Sequence, residues 1–546
     1  MKEGWRQSMA WLHTWSGLLV GWVLFMVFLA GTLAYYRAEI TLWMKPESHV
    51  ATLGLPAQAD LAARALATLE KKAAGSNRWI IGLPDGREPT VRIFWNPPVR
   101  EGEAPQRGGR RRFESADLDP ATGEPLPAAR ATRGGDFFYR LHFDLHYMPV
   151  LWARWIVCFC AMFMLVAIVS GVITHKRIFA DFFTFRPKKG QRSWLDAHNA
   201  TAVLALPYHL MITYTGLVTL MFMVMPWGIQ AQYKEQNGSA AFFNEIFGRE
   251  DRNARPSGTA APLAPIAPML AQLSERWNGA QAGSVTVANP GDAGARVTIT
   301  RGSGDAMTSR NPSMVFDGAT GRLLAVNGDN AGGAAATQGV MVGLHEARFA
   351  HPLLRALFFL SGLAGCAMVA TGALLWAVKE RQKHARVLAR GGRAGFGLRL
   401  VDGLNIGAIA GLPIAVAVYF WANRLLPLGI GQRAQAEIDT FFAAWAIAAL
   451  AAQVRPDRAM WRSQLWTAAV LIALLPVLNG LTGGAHLGVT LVHGPGPVAG
   501  FDLVALALGA LLGYAAWKLG RKPAGKPRTA PAAEPVLPAT AAARTS

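Results

Sequence analysis

The sequence predicts a mainly α-helical polytopic membrane protein, with about eight transmembrane helices and two small α+β modules on its outer face. Three observations predict it. Hydrophobic residues make up 52% of the 546 and charged residues only 16%. Apolar runs of about 18 residues or more, enough to cross a hydrocarbon core of about 30 Å, recur along the chain. Two long polar stretches, about 38–140 and 227–345, separate some of them.

The first span, near 15–36, is too long for the apolar segment of a cleavable signal peptide and ends in Tyr35, Tyr36 and Arg37, so it is expected to stay as a helix. Further spans fall near 151–174, 200–226, 353–378, 404–422, 465–482 and 500–518, with a weaker one near 438–453. These divide the chain into a first helix (1–37), an outer module (38–140), helices two and three (141–226) and a second outer module (227–345). A fourth helix with a basic segment (346–400), four additional helices (401–520) and a disordered tail (521–546) follow. Basic connections retained on the cytoplasmic side set orientation. Lys176, Arg177, Arg186, Lys188, Lys189 and Arg192 face one acid, Asp181, after the second helix, and a second cluster runs from Lys379 to Arg399. Both termini are therefore expected in the cytoplasm and both modules outside.

The net charge of +20 sits mostly beside apolar runs, and no basic stripe interleaved with aromatics marks a nucleic-acid surface. Cys158, Cys160 and Cys366 lie in apolar helices and form neither a disulfide frame nor a metal cluster.

In the first module, 61–72 has helical period, 78–84 and 90–97 read as strands, and 113–128 as a hairpin; the Arg/Gly/Pro run at 98–112 reads as a mobile loop. In the second, 267–277 is the helix, 284–290 and 295–302 are strands, and 313–326 is a hairpin. The halves repeat. His13 precedes Gly31 by 18 residues, and His198 precedes Gly216 by 18. Ala-Thr-Gly at 121–123 answers the same tripeptide at 319–321, and Leu-His follows at 141–142 and again at 344–345.

The histidines sort by depth. His13, His175 and His198 stand on the cytoplasmic side, and His142, His146, His345 and His351 on the outer side. His209 falls near mid-bilayer, where an ionisable group is costly and points to function. Two layers of imidazoles suit haem b, which needs one nitrogen on each face of its iron from helices at equal depth. His13 and His198 are equivalent in the repeat and are the expected inner pair, with His175 beside them. His345 is expected to share the outer iron with His146, the alternative being His142, since these two lie four apart and only one is needed. His209 and His351 are ligand or supporting candidates. His49, His384, His486 and His493 read as interface residues. Zinc is disfavoured, because neither cysteine nor carboxylate completes a tetrahedral set.

The motifs LHTWSG at 12–17, FYRLHFDLHY at 138–147, ITHKRIFADFFTFRP at 173–187, WLDAHN at 194–199 and LHEARFAHPLLRALFFLSGLAG at 344–365 resemble the PepSY-associated transmembrane proteins. That family includes iron-regulated membrane proteins and ferric-siderophore reductases of inner membranes. The resemblance covers residues 5–385 and implies PepSY-type outer modules, two b-type haems held by histidines, and reduction of a ferric siderophore or other iron chelate outside the membrane. Helices five to eight depart from the four-helix pattern. No dinucleotide or P-loop motif is present, so quinol or a partner reductase is the expected donor. Two alternatives differ in class. One is a regulatory protein whose modules bind a peptide or partner. The other is a metal transporter, disfavoured because Asp402, Glu437 and Asp439 are expected near helix ends rather than within the added bundle.

Overall fold

The computed structural model describes residues 3–50, 55–97, 113–175, 189–234, 255–304, 306–329, 332–385 and 395–521, with isolated positions between them. The run at 98–112 and the tail from 522, read above as mobile and disordered, lie outside the described residues.

Helix α1 (Glu3–Ala34) leads into a short α2 (Arg37–Trp43) and then into the first polar segment. There α3 (Gln58–Lys72) precedes β1 (Arg78–Gly82), β2 (Val91–Trp95) and β3 (Glu114–Leu118). The chain returns through α4 (Asp136–Asp144) and α5 (Val150–Thr174), then α6 (Gln191–Leu204) and α7 (Leu206–Thr219). The second polar segment holds α8 (Ile266–Arg276), β4 (Ala282–Ala288), β5 (Arg296–Arg301), β6 (Ser313–Asp317), β7 (Leu323–Asn327) and α9 (Gly333–Glu346), before α10 (Pro352–Lys383). The added bundle contains α11 (Phe396–Ile409), α12 (Gly411–Leu425), α13 (Arg433–Val454), α14 (Arg458–Ala473), α15 (Leu475–Gly483), α16 (Leu487–His493) and α17 (Gly496–Gly520).

Among the described residues, seven helical stretches are long and apolar enough to cross a membrane, and α6 with α7 makes an eighth if the bent pair is one span. The two halves of that pair meet at 67°. Pro207, in the first turn of α7, has no N–H to continue the helical ladder from α6, which accounts for the break. The spans follow the apolar runs because a backbone in hydrocarbon must satisfy its own hydrogen bonds.

The polar segments depart from the expectation of two separate modules. Their strands join one antiparallel sheet in the order β3-β2-β1-β4-β5-β6-β7. β1 pairs with β4 from Arg78 opposite Ala288 to Gly82 opposite Ser284. Each half alone would leave that strand as an open edge, and pairing the two edges satisfies both rows of backbone groups. One shared core results: Leu61, Ala65 and Leu69 of α3 and Met269 and Leu273 of α8 pack with Ile81, Ile93, Val285, Val297 and Ile299 of the sheet. The repeated tripeptide recurs in three dimensions. Gly123 and Gly321 both take positive φ, 76° and 74°, in turns closed by Asp119 and Asp317.

The added bundle is not free of buried acids. Glu437 and Asp502 are both fully buried. Arg433, Asn423 and Thr132 hold Glu437, while Trp43 Nε1 and Asn479 Nδ2 donate to Asp502 at 2.8 and 3.0 Å. Asp502 falls inside the run read as the last apolar span, and hydropathy averaged over that run hid it.

Candidate functional site

Four imidazoles meet in two pairs. The rings of His13 and His198 are 6.1 Å apart between centroids, and those of His142 and His345 are 5.9 Å apart. His13 comes from α1 and His198 from α6, whereas His142 and His345 come from the short helices α4 and α9, outside the spans. Gly31, level with His142, lies 18 residues beyond His13 on α1, so the pairs stand about 27 Å apart along that helix at 1.5 Å per residue.

Each imidazole is fixed from behind. His13 Nδ1 lies 2.8 Å from Ala167 O, His142 Nδ1 2.7 Å from Val27 O, and His198 Nδ1 2.9 Å from Met368 O. A carbonyl only accepts, so Nδ1 carries the hydrogen and the lone pair sits on Nε2. His345 Nδ1 lies 3.1 Å from Thr215 Oγ1, whose own hydrogen is donated to Met211 O at 2.7 Å, and the same tautomer follows. Burial pushes His345 down to about 3 and lowers His142 as well, so both imidazoles are neutral, the form that binds a metal.

Each ring also lies against a glycine of a neighbouring helix. A Cβ would stand 3.0 Å from His13 Cε1 at Gly171, 2.7 Å from His142 Cε1 at Gly31, 3.2 Å from His198 Cε1 at Gly372 and 3.0 Å from His345 Cε1 at Gly216. All four contacts stay within a half-repeat, while both imidazole pairs form between halves. The 18-residue spacing of His13 to Gly31 and His198 to Gly216 thus has a cause. Helix α1, and the bent pair α6 with α7, each carry the ligand-type residue of one layer and the cradle glycine of the other. Gly171 and Gly372 were missed in the sequence; the signal was a hydroxyl residue before glycine, Ser170, Thr371 and, at the known site, Thr215.

The structure brings His142, not His146, to His345, which corrects the preferred outer pair. Helix α4 ends at Asp144, and Leu145, His146 and Tyr147 all take positive φ. The four-residue helical spacing therefore fails, and His146 turns toward the added bundle, stacking on Phe442 with centroids 5.5 Å apart. His175 caps α5 within electrostatic reach of His13 and His198. His351 caps α10 on the wall of the cavity beneath the sheet. His209 is fully buried beside Phe28, at 6.0 Å, and neither ring nitrogen finds a hydrogen-bond partner among the described residues. It lacks both the Nδ1 tie to a carbonyl or hydroxyl oxygen and the facing imidazole that mark the four.

Two metal–nitrogen bonds of about 2 Å each, with the half-width of two imidazoles, put ring centres roughly 6 Å apart across one iron. Both pairs match that spacing. Among the described residues no group of three or more His, Cys, Asp or Glu gathers as a metal site, so a metal held between either pair would take its remaining ligands from outside the chain, as a haem macrocycle supplies them. The residues present fit haem b.

The sheet-side pair borders a cavity of about 2020 Å³ between the sheet and the helices, reaching from Gly31 and His345 to Gly82 and Ser284. Seven arginines and four carboxylates line it, an excess of three positive charges. Arg87 holds Glu39 at 2.7 Å, and Arg355 reaches the same carboxylate at 3.1 Å.

The chain is similar to known membrane proteins. The chain is 27% identical over 389 residues to the uncharacterized protein PA4219 of Pseudomonas aeruginosa, an alignment covering 67% of this chain and 91% of that protein. The family described as the PepSY-associated TM region matches residues 10–379, the whole stretch carrying both imidazole pairs, and the chain is a membrane protein of that family.

Proposed function

We propose that this chain is a haem b oxidoreductase of an inner membrane, with both termini cytoplasmic, carrying electrons from quinol or a partner reductase to a ferric chelate such as a siderophore outside. The observation that supports this reading is the meeting of the two half-repeats, imidazole to imidazole, at both layers. His13 with His198 would hold one haem and His142 with His345 the other. When bound, haem b supplies a one-electron Fe(III)/Fe(II) couple.

The chain's own part is binding, orientation and exclusion of water. Carbonyls at Ala167, Val27 and Met368 fix three imidazoles, as outer-sphere partners orient metal ligands. The apolar core of α1, α5 and α10, with Val20, Leu24, Met164 and Met368 buried, keeps the layers dry. The positive excess of the cavity favours an anionic chelate as substrate. Reduction loosens such a chelate, because hard oxygen donors hold Fe(II) weakly.

A reduced-minus-oxidised spectrum of the purified protein, with haem quantified per chain, tests the reading. Two b-type haems are expected. A colourless, folded protein would leave the alternative in which the outer sheet binds a peptide or partner.

A further inference from the structure

The cavity beneath the sheet has an apolar limb that the iron-reduction reading leaves unused. It runs between α10 and α17, with one wall contributed by the added bundle. Ala356, Leu360 and Leu363 recur along one face of α10, and Gly500, Val504, Ala507 and Leu511 along one face of α17. Helical spacing puts each set in a single stripe. Leu360 is 58% exposed, Val504 43% and Leu511 61%. A Cβ built on Gly500 meets nothing within 4 Å, so the slot beside it is open. Helix α17 packs on α2 and α14 instead, which keeps the slot from closing.

The dimensions and the head of the limb narrow its occupant. From Gly500 to Leu511 the stripe rises roughly 16 Å at 1.5 Å per residue, about half of a 30 Å hydrocarbon core, the depth of one leaflet. Arg355 stands one turn above Phe359 at the polar end and is 8% exposed. Its Nη atoms bind Glu39 and Ala350 O, but its Nε–H is buried with no partner among the described residues. A buried guanidinium donor left unpaired is costly, and an anionic oxygen would satisfy it. Arg87, beside it on Glu39, adds to the positive side.

We infer that this limb seats one anionic phospholipid, with its acyl chains between α10 and α17 and its phosphate toward Arg355. The bilayer supplies the chains, and the arginine excess of the chamber selects the charge. The inference does not depend on haem loading.

Native mass spectrometry of the full chain released from nanodiscs tests it. With phosphatidylglycerol and phosphatidylcholine supplied equally, one phosphatidylglycerol should remain bound, with roughly five-fold preference, the factor matching about 1 kcal/mol per cation near a headgroup. Arg355→Gln should keep a lipid but lose the preference. Gly500→Trp, and Ala507→Trp lower in the same slot, should each shed the lipid whatever its head. Excess inorganic phosphate should not displace it. Equal retention of both lipids by the unaltered chain would overturn the charge assignment. Undiminished retention in the tryptophan variants, or displacement by phosphate alone, would overturn the seat itself.

Discussion

The two imidazole pairs share one chemistry and differ in what holds them. On the side away from the sheet, His13 and His198 belong to helices that are part of the spans, and α1, α5, α6 and α10 pack around them directly. On the sheet side, His142 and His345 ride on short helices whose position depends on other elements. Helix α4 is buttressed by the added bundle: Phe137 lies 4.8 Å from Tyr419 and 5.0 Å from Phe441, and Tyr419 donates to Gly134 O at 3.1 Å. Helix α9 instead packs on α7 of its own half. The repeat therefore makes the ligand sets alike, while the added helices brace α4 of the sheet-side pair through its aromatic residues and reach α1 through Trp22 and Asn405.

The strongest way to break this comparison is to remove single imidazoles. Under the proposed function, His142→Ala and His345→Ala should each lower haem content from two per chain to one, and His13→Ala or His198→Ala should remove the other. His146→Ala should leave both. Full haem content in His142→Ala, read by haem extraction and absorption, would return the outer site to His146.

The cradle glycines sharpen it next. Gly31→Val puts a side chain where a Cβ would stand 2.7 Å from His142, so it should cost the sheet-side haem alone. Gly17→Ala, on the same helix with nothing within 4 Å, should be silent. Equal effects of the two on the difference spectrum would show that the cradle plays no part.

Truncating the buttress should act more gently on the site. Phe441 is fully buried, and Phe441→Ala should cost about 3–5 kcal/mol of stability by thermal melting. The sheet-side haem potential should move while the other holds. A shift of both potentials together would mean that the bundle supports the whole membrane core.

The smallest effect lies far from both pairs. Asp292 accepts hydrogen bonds from Ser257, Gly258 and Gly294, which hold its carboxyl down at about 2. A depressed carboxylate contributes stability above its ordinary range near 3.8 and loses it as pH falls toward 2. Protection of the 257–258 amides from hydrogen exchange, relative to their intrinsic rate, should therefore fall only below about pH 4, and in Asp292→Asn this acid step should vanish with haem content unchanged.

Much of this was legible in the chain. Apolar run length determined the spans, since a backbone in hydrocarbon has no other partner than itself. Strand alternation and turn glycines located the β elements, and the equal spacing of His13 to Gly31 and His198 to Gly216 marked the repeat. Tertiary structure alone decided the rest, because it turned on which elements touch. Pairing of β1 with β4 merged two expected modules into one sheet, since open strand edges seek partners irrespective of sequence distance. The choice of His142 over His146 depended on three left-handed residues ending α4 and on Phe442, nearly 300 positions away, drawing the second imidazole aside. Gly171 and Gly372 became meaningful only once a ring lay against each. Local physics writes helices, strands and spacings into a sequence, but a contact between distant residues is set by packing that no single segment contains.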